Sequence, residues 1–156
     1  MSQMAVRQGY RSERGHTVQC ALCQPLEADG VCSNDHWRVV VNYNQNKLGK
    51  CMACLKRHEE DICNLSDEEV RDLWAIIRRL KAALMSRFRP DHFNYAFLMN
   101  QDAHVHLHII PRYRGIRTFA GTEFQDNDAI TELRLPEHIG RQLVAVLRET
   151  LGGNFG

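Results

Sequence analysis

The sequence predicts an α+β domain: an antiparallel sheet of about five strands carrying one long helix and a short C-terminal helix. Three observations predict it. An apolar stripe recurs at helical spacing from Ser66 to about Phe88. Short β-branched and aromatic runs lie on both sides of it, separated by small polar loops. The 156 residues, 44% apolar and 25% charged, suit one domain built on one core.

In chain order, residues 1–16 are polar and expected to be disordered, as are the frayed residues 152–156; the single domain is expected over 17–151. Trp37-Arg38-Val39-Val40-Val41 reads as a strand ending in the polar loop Asn42–Asn46, and Cys51–Leu55 as its partner. Ser66 and Glu69 form a capping box, and Val70, Leu73, Trp74, Ile77, Leu80, Leu84 and Phe88 mark the apolar face of the long helix, which Pro90 stops. His92–Met99 and His104–Tyr113 read as two strands, and the four residues between them suit an antiparallel hairpin. A short helix follows Pro136 through Ile139, Leu143, Val146 and Leu147.

Bulk properties narrow the function classes. A net charge of +1 disfavours strong nucleic-acid or membrane attraction, and no apolar run approaches the length of a membrane span. The first 16 residues contain no apolar core of a secretory signal, so the six cysteines are expected to be reduced thiols and the compartment the cytoplasm.

Chemistry concentrates at His104-Val105-His106-Leu107-His108, followed by Ile109-Ile110-Pro111-Arg112. On a strand the three histidines share a face with Ile110, while Val105, Leu107 and Ile109 point into the core. The outer histidines are then roughly 13 Å apart at about 3.3 Å per residue, whereas zinc–nitrogen bonds are about 2 Å long. One ion could take two neighbours, so a three-histidine cage is a poor reading. A polar strand face without special chemistry is the plain alternative, and strict alternation above an apolar face argues against it. A neutral imidazole can attack phosphorus to give a covalent phosphoramidate. That requires one histidine whose far nitrogen is fixed by an acceptor, beside donors for the phosphate oxygens and the leaving group.

The pattern H-φ-H-φ-H-φ-φ resembles the signature of the histidine-triad (HIT) superfamily of nucleotide hydrolases and transferases, in particular its zinc-bearing, bacterial-type, diadenosine tetraphosphate hydrolase-like members. The likeness covers roughly residues 20–125. Cys20-Ala21-Leu22-Cys23 resembles the N-terminal C-x-x-C of many members. Leu55–His58 with Leu65–Glu69 resembles the segment that opens the long helix, and Asn94–Asn100 the strand before the triad. The resemblance implies a HIT-like fold and cleavage at the α-phosphate of dinucleoside polyphosphates or nucleoside phosphoramidates. His106 would take the nucleotidyl group and pass it to water or, as a variant, to phosphate. His108 would bond the α-phosphate region, Asn100 the phosphate or substrate, and Asn42 the ribose hydroxyls, where many members carry an acid. Either asparagine could instead be ordinary turn chemistry. A purine nucleotide or dinucleoside polyphosphate is the implied partner; members are often homodimers. Two departures stand out: Gly49-Lys50 replaces the usual Gly-His, and the loop before the triad shortens to Gln101-Asp102-Ala103. The first leaves leaving-group protonation unassigned, and the second alters how phosphates are held.

Two metal sets are open, besides none. Cys20-x-x-Cys23 with Cys51-x-x-Cys54 could make a four-cysteine zinc site, but on a strand Cys51 and Cys54 face opposite ways. The resemblance implies instead Cys20, Cys23, His58 and His104 as a structural zinc site. Cys32 and Cys63 read as buried or half-buried small side chains. Arg112, Arg114 and Arg117 could approach polyphosphate oxygens, or be solvated surface groups, and Phe119 and Phe124 suggest a loop folding over a site or a neighbouring subunit. A nucleotide- or zinc-binding module without effective turnover is the rival function, and a hydrolase using metal-bound water a third.

Overall fold

The computed structural model describes residues 20–24 and 26–152, so the expectations for residues 1–16 and for the end of the chain beyond Gly152 lie outside the described residues. The elements run β1 (Gly30–Ser33), β2 (Trp37–Val41), β3 (Cys51–Leu55), α1 (Asp67–Phe88), β4 (His92–Ala96), β5 (His106–Arg112), β6 (Arg117–Phe119), β7 (Thr122–Phe124) and α2 (Glu137–Thr150). Five strands form an antiparallel sheet in the order β1-β2-β3-β5-β4, and β6-β7 is a separate hairpin. This is the expected α+β arrangement of sheet, long helix and C-terminal helix.

Strand alternation divides the sheet into two faces. Trp37, Val39, Val41, Cys51, Ala53, Leu55, Leu107 and Ile109 are buried on one face against Leu73, Ile76, Leu80, Leu84 and Phe88 of α1 and Leu143, Val144 and Leu147 of α2. The opposite face presents Val40, Met52, Cys54, His106 and His108, with Leu22 and Leu26 of the N-terminal segment packed on its upper part. Both helices therefore cover one side and leave the histidine side for a site.

α1 starts where the sequence places it. The Ser66 hydroxyl accepts the Glu69 N–H and the Glu69 carboxylate accepts the Ser66 N–H, while Asp67, Glu68 and Glu69 complement the helix dipole. The Trp37 indole N–H donates to the Glu69 carbonyl at 2.7 Å, tying β2 to the first turn.

Several expectations shift. Trp74 is 52% exposed and Ile76 takes its place in the core, because the stripe rotates around a 22-residue helix. On α2 Val144, not Val146, joins the buried face. β1 and the β6-β7 hairpin went unread, being runs of four and three residues too short to show a period. Phe119 packs edge-on against Phe88 at 5.7 Å and Phe124 is buried in the core, so this hairpin braces the end of α1. Cys63 is exposed, not buried, because it sits in a short 3-10 turn before α1; Cys32 is buried as expected. Among the described residues no helix is long and apolar enough to cross a membrane.

Candidate active site and metal cluster

β5 begins at His106, so His104 stands just ahead of the strand. Val105 still pairs with the β3 side, its N–H donating to the Glu59 carbonyl at 2.7 Å and its carbonyl accepting the Leu55 N–H at 3.1 Å. This frame gives the three histidines different surroundings.

His104 is fully buried. Its Nε2 lies 2.8 Å from the Leu55 carbonyl, and a carbonyl only accepts, so Nε2 carries the proton and Nδ1 the lone pair. That lone pair points at the thiols of Cys20 (3.3 Å) and Cys23 (3.4 Å). His58 Nδ1 lies 3.4 Å from the Cys23 sulfur, with its Nε2 3.3 Å from a Glu60 carboxylate oxygen. The donor atoms of Cys20, Cys23, His58 and His104 lie within 4.8 Å of one another. Tetrahedral bonds of about 2.3 Å to sulfur and about 2.05 Å to nitrogen would put S and N about 3.5 Å apart, so the spacing suits a four-coordinate metal. The Arg38 guanidinium donates to the Leu22 carbonyl and so fastens the C-x-x-C turn to β2. Glu59 accepts the N–H groups of Asp61 and Glu60 and the Asn64 amide, which fixes the loop bearing His58 and holds the Glu59 carboxyl at about 2. The four-cysteine alternative fails as the strand alternation requires: Cys51 belongs to the helix-side core and Cys54 to the opposite cluster.

His106 is fixed the other way round. Its Nδ1–H donates to the His104 carbonyl at 2.7 Å, leaving Nε2 with the lone pair and no protein partner among the described residues. The ring lines a cavity of about 360 Å³, within the usual range for small-molecule sites. Asn42, Lys50, Met52, Asn100 and His108 line it too. The His108 ring packs edge-on against His106 at 4.9 Å. Burial, then the nearby His106 and Lys50, push His108 down to about 4, so it is neutral at pH 7. Its buried Nδ1 has no partner among the described residues.

The structure thus brings His106, His108, Asn42 and Asn100 to one cavity and His104 to the cluster of Cys20, Cys23 and His58, a candidate metal site. Asn42 also does turn work: its side-chain oxygen accepts the Asn44 N–H at 2.9 Å, leaving its amide nitrogen for a ligand. Arg112 is elsewhere. Its guanidinium makes a two-pronged contact with Asp126 (2.8 and 3.0 Å) and reaches Asp128 and Asn94 at 2.9 Å each, so its donors are occupied away from the cavity. Arg117 donates to the Phe88 and Arg89 carbonyls, and the backbone N–H of exposed Arg114 donates to Asp91. Lys50 was legible only as an absent histidine. Period-two alternation was the available signal: it puts Lys50 on the face of Met52, which pairs with His108.

With this geometry in place, similarity to known proteins becomes informative. The HIT domain family matches residues 25–115. A bis(5'-adenosyl)-triphosphatase of Dictyostelium discoideum is 30% identical over 96 residues, 58% of this chain and 60% of that protein, so the match spans under two thirds of the relative's length. A hypothetical histidine triad nucleotide-binding protein of Sulfolobus tokodaii shares the fold with a TM-score of 0.66 at 14% identity, over 87% of this chain and 98% of that one. A Zn-bound histidine triad family protein of Mycobacterium smegmatis has a TM-score of 0.60 at 22% identity, over 84% of this chain and 94% of that one. With a HIT domain matched over more than half its length and the triad strand in its place in the sheet, the chain belongs to the histidine-triad family.

Proposed function

We propose that this chain is a nucleotide hydrolase acting at the α-phosphate of a nucleoside phosphoanhydride or phosphoramidate, with His106 as nucleophile. One observation carries the reading: the His106 Nδ1–H is anchored on the His104 carbonyl, so its nucleophilic Nε2 has the lone pair and faces a nucleotide-sized cavity. Attack by Nε2 forms an N–P bond and expels the leaving group; water then attacks phosphorus, and the N–P electron pair returns to Nε2. Asn100 and the Asn42 amide supply polar contacts to phosphate and ribose. Arg112 stands outside this proposal because its donors are taken. The likeness to the Dictyostelium triphosphatase supports dinucleoside polyphosphates as the substrate class.

Zinc on Cys20, Cys23, His58 and His104 fits the donor set: two thiols and two imidazoles whose lone pairs converge while their far nitrogens meet a carbonyl or a carboxylate. Four protein ligands leave no open position, so such an ion supplies structure, fixing the carbonyl that orients His106. The six cysteines are free thiols, which suits a reducing cytoplasm.

The test is intact-protein mass spectrometry after brief mixing with a diadenosine polyphosphate or adenosine phosphoramidate, with product read in the same samples. An acid-labile gain of one nucleotidyl group, absent in His106→Ala, is the expected result. Neither adduct nor product would leave a nucleotide-binding module in its place.

A further inference from the structure

We propose that Lys50 is a substrate-binding residue of this site, its ammonium holding the phosphate that departs, so that the cavity takes nucleoside polyphosphates in preference to nucleoside phosphoramidates. This rests on the hydrolase reading above and narrows it.

Three observations carry it. Met52 pairs with His108 across β3 and β5, and Lys50, two residues earlier, stands on the same face and lines the same cavity. Its backbone is fixed: the N–H donates to the Lys47 carbonyl at 3.1 Å, and its carbonyl accepts the Asn42 N–H at 3.0 Å and the Gln45 side-chain amide at 2.8 Å. Third, among the described residues the half-buried ammonium has no acidic partner. Neighbouring Lys47 shows the contrast, its ammonium 3.2 Å from Asp126. Asp29 and Asp102 also line the cavity. A half-buried cation lacking a counter-charge is under-solvated, and a ligand phosphate relieves that cost. Burial and the charge of Lys47 lower the pKa of Lys50, the direction expected of such a group.

The chemistry then selects the leaving group. When Nε2 of His106 bonds to the α-phosphorus of a polyphosphate, the bond that breaks runs to the α–β bridging oxygen, and its electron pair leaves on that oxygen with the β-phosphate of the departing group, as an anion. The proton stays on Nδ1 of His106, donated in a hydrogen bond to the His104 carbonyl. Such a leaving group requires a cation and no proton. In a phosphoramidate the broken bond is P–N, and the amine departs only with a proton; His108, neutral at pH 7, lacks the acidic imidazolium proton that could supply it. Hydrolysis then closes as above, with the water proton released to solvent.

Two readouts on the full-length chain test this. The first is kcat/KM on a diadenosine polyphosphate and on adenosine 5'-phosphoramidate for wild type, Lys50→Met and Lys50→Arg. Lys50→Met is expected to lose about 10²- to 10³-fold on the polyphosphate and less than about tenfold on the phosphoramidate. Lys50→Arg, which keeps the charge without a transferable proton, is expected to stay within about tenfold of wild type on the polyphosphate. If both variants lose equally on both substrates, or neither loses on either, the assignment is overturned. The second readout is equilibrium binding of ADP and AMP, which involves no turnover. Lys50→Met is expected to weaken ADP by about tenfold or more and AMP far less; equal changes for the two overturn the proposal. A wild type that turns over neither substrate yet shows this ADP selectivity would sink the hydrolase reading and leave Lys50 as the phosphate ligand.

Discussion

His104 and His106 lie two residues apart and are held in opposite senses. The first spends its Nε2–H on the Leu55 carbonyl and turns its Nδ1 lone pair to two thiols; the second spends its Nδ1–H on the His104 carbonyl and turns Nε2 to the cavity. Residue type does not separate the proposed metal ligand from the proposed nucleophile. The backbone carbonyl that fixes the far nitrogen does, by setting which nitrogen keeps its lone pair. Because the His104 carbonyl anchors His106 while the His104 ring faces the thiols, the two sites share one mechanical element and should still be separable by mutation.

The sharpest separation is expected at His106. His106→Ala should cut turnover by at least about 10⁴-fold, since it removes the proposed nucleophile outright. Its melting temperature should stay within about 5 °C of wild type, because the lost bond is one of many. A variant that melts early and keeps its turnover would reverse the roles assigned to the two histidines.

Cys23→Ser should show the mirror image. Metal analysis is expected to fall from one zinc per chain towards none, and the melting temperature by roughly 10 °C, since an ion binding only the folded state stabilises it by mass action. Folded variant should retain measurable turnover, because no ligand position is open for catalysis. Activity lost without any change in zinc content or melting would break the comparison.

A third fixed point lies at the other end of β5. The Asp126 carboxylate accepts from the Arg112 guanidinium, the Tyr113 N–H and the Lys47 ammonium. Burial alone would raise its pKa, but these bonds hold it at about 2. Because that lies below the unfolded value of 3.8, the stability it contributes is present above about pH 4 and is lost as pH falls towards 2. Asp126→Asn should cost about 3 kcal/mol at pH 7, since Lys47 and Arg112 lose their shared acid, and should flatten the acid limb. Denaturant titrations at pH 7 and pH 3 measure both; equal stability at pH 7 would show that the pairing is idle.

Much of the fold is legible in the sequence. β2 and β3 ended where their β-branched and small-apolar runs ended, and the capping box marked the start of α1. What the sequence could not show were consequences of tertiary contact. The role of Arg112 depends on Asp126 and Asp128, which return to β5 after the β6-β7 hairpin, and no local spacing reveals that pairing. Trp74 matched the helical stripe yet stays exposed while Leu73, Ile76 and Ile77 around it are buried, because the buried stripe rotates around the helix. Lys50 departs from a Gly-His pattern, yet strand parity puts it on the same face as Met52, which pairs with His108.

His108 tests the comparison most finely, because it is tied at neither end: its Nδ1 is buried without a partner among the described residues. Burial, with His106 and Lys50 adding to it, lowers its pKa to about 4 from 6.5. Between those values the unfolded chain binds the proton and the folded chain does not, so acid favours unfolding. The contribution of this residue is complete above about pH 6.5 and declines as pH falls towards 4, by at most about 1.4 kcal/mol per pH unit. His108→Asn cannot titrate, so its stability should fall less steeply over that range. Zinc loss in acid would add a slope to both proteins and cancels in their difference. Superimposable slopes would mean that His108 is protonated in the folded state, and the cavity would then hold a proton donor beside His106 after all.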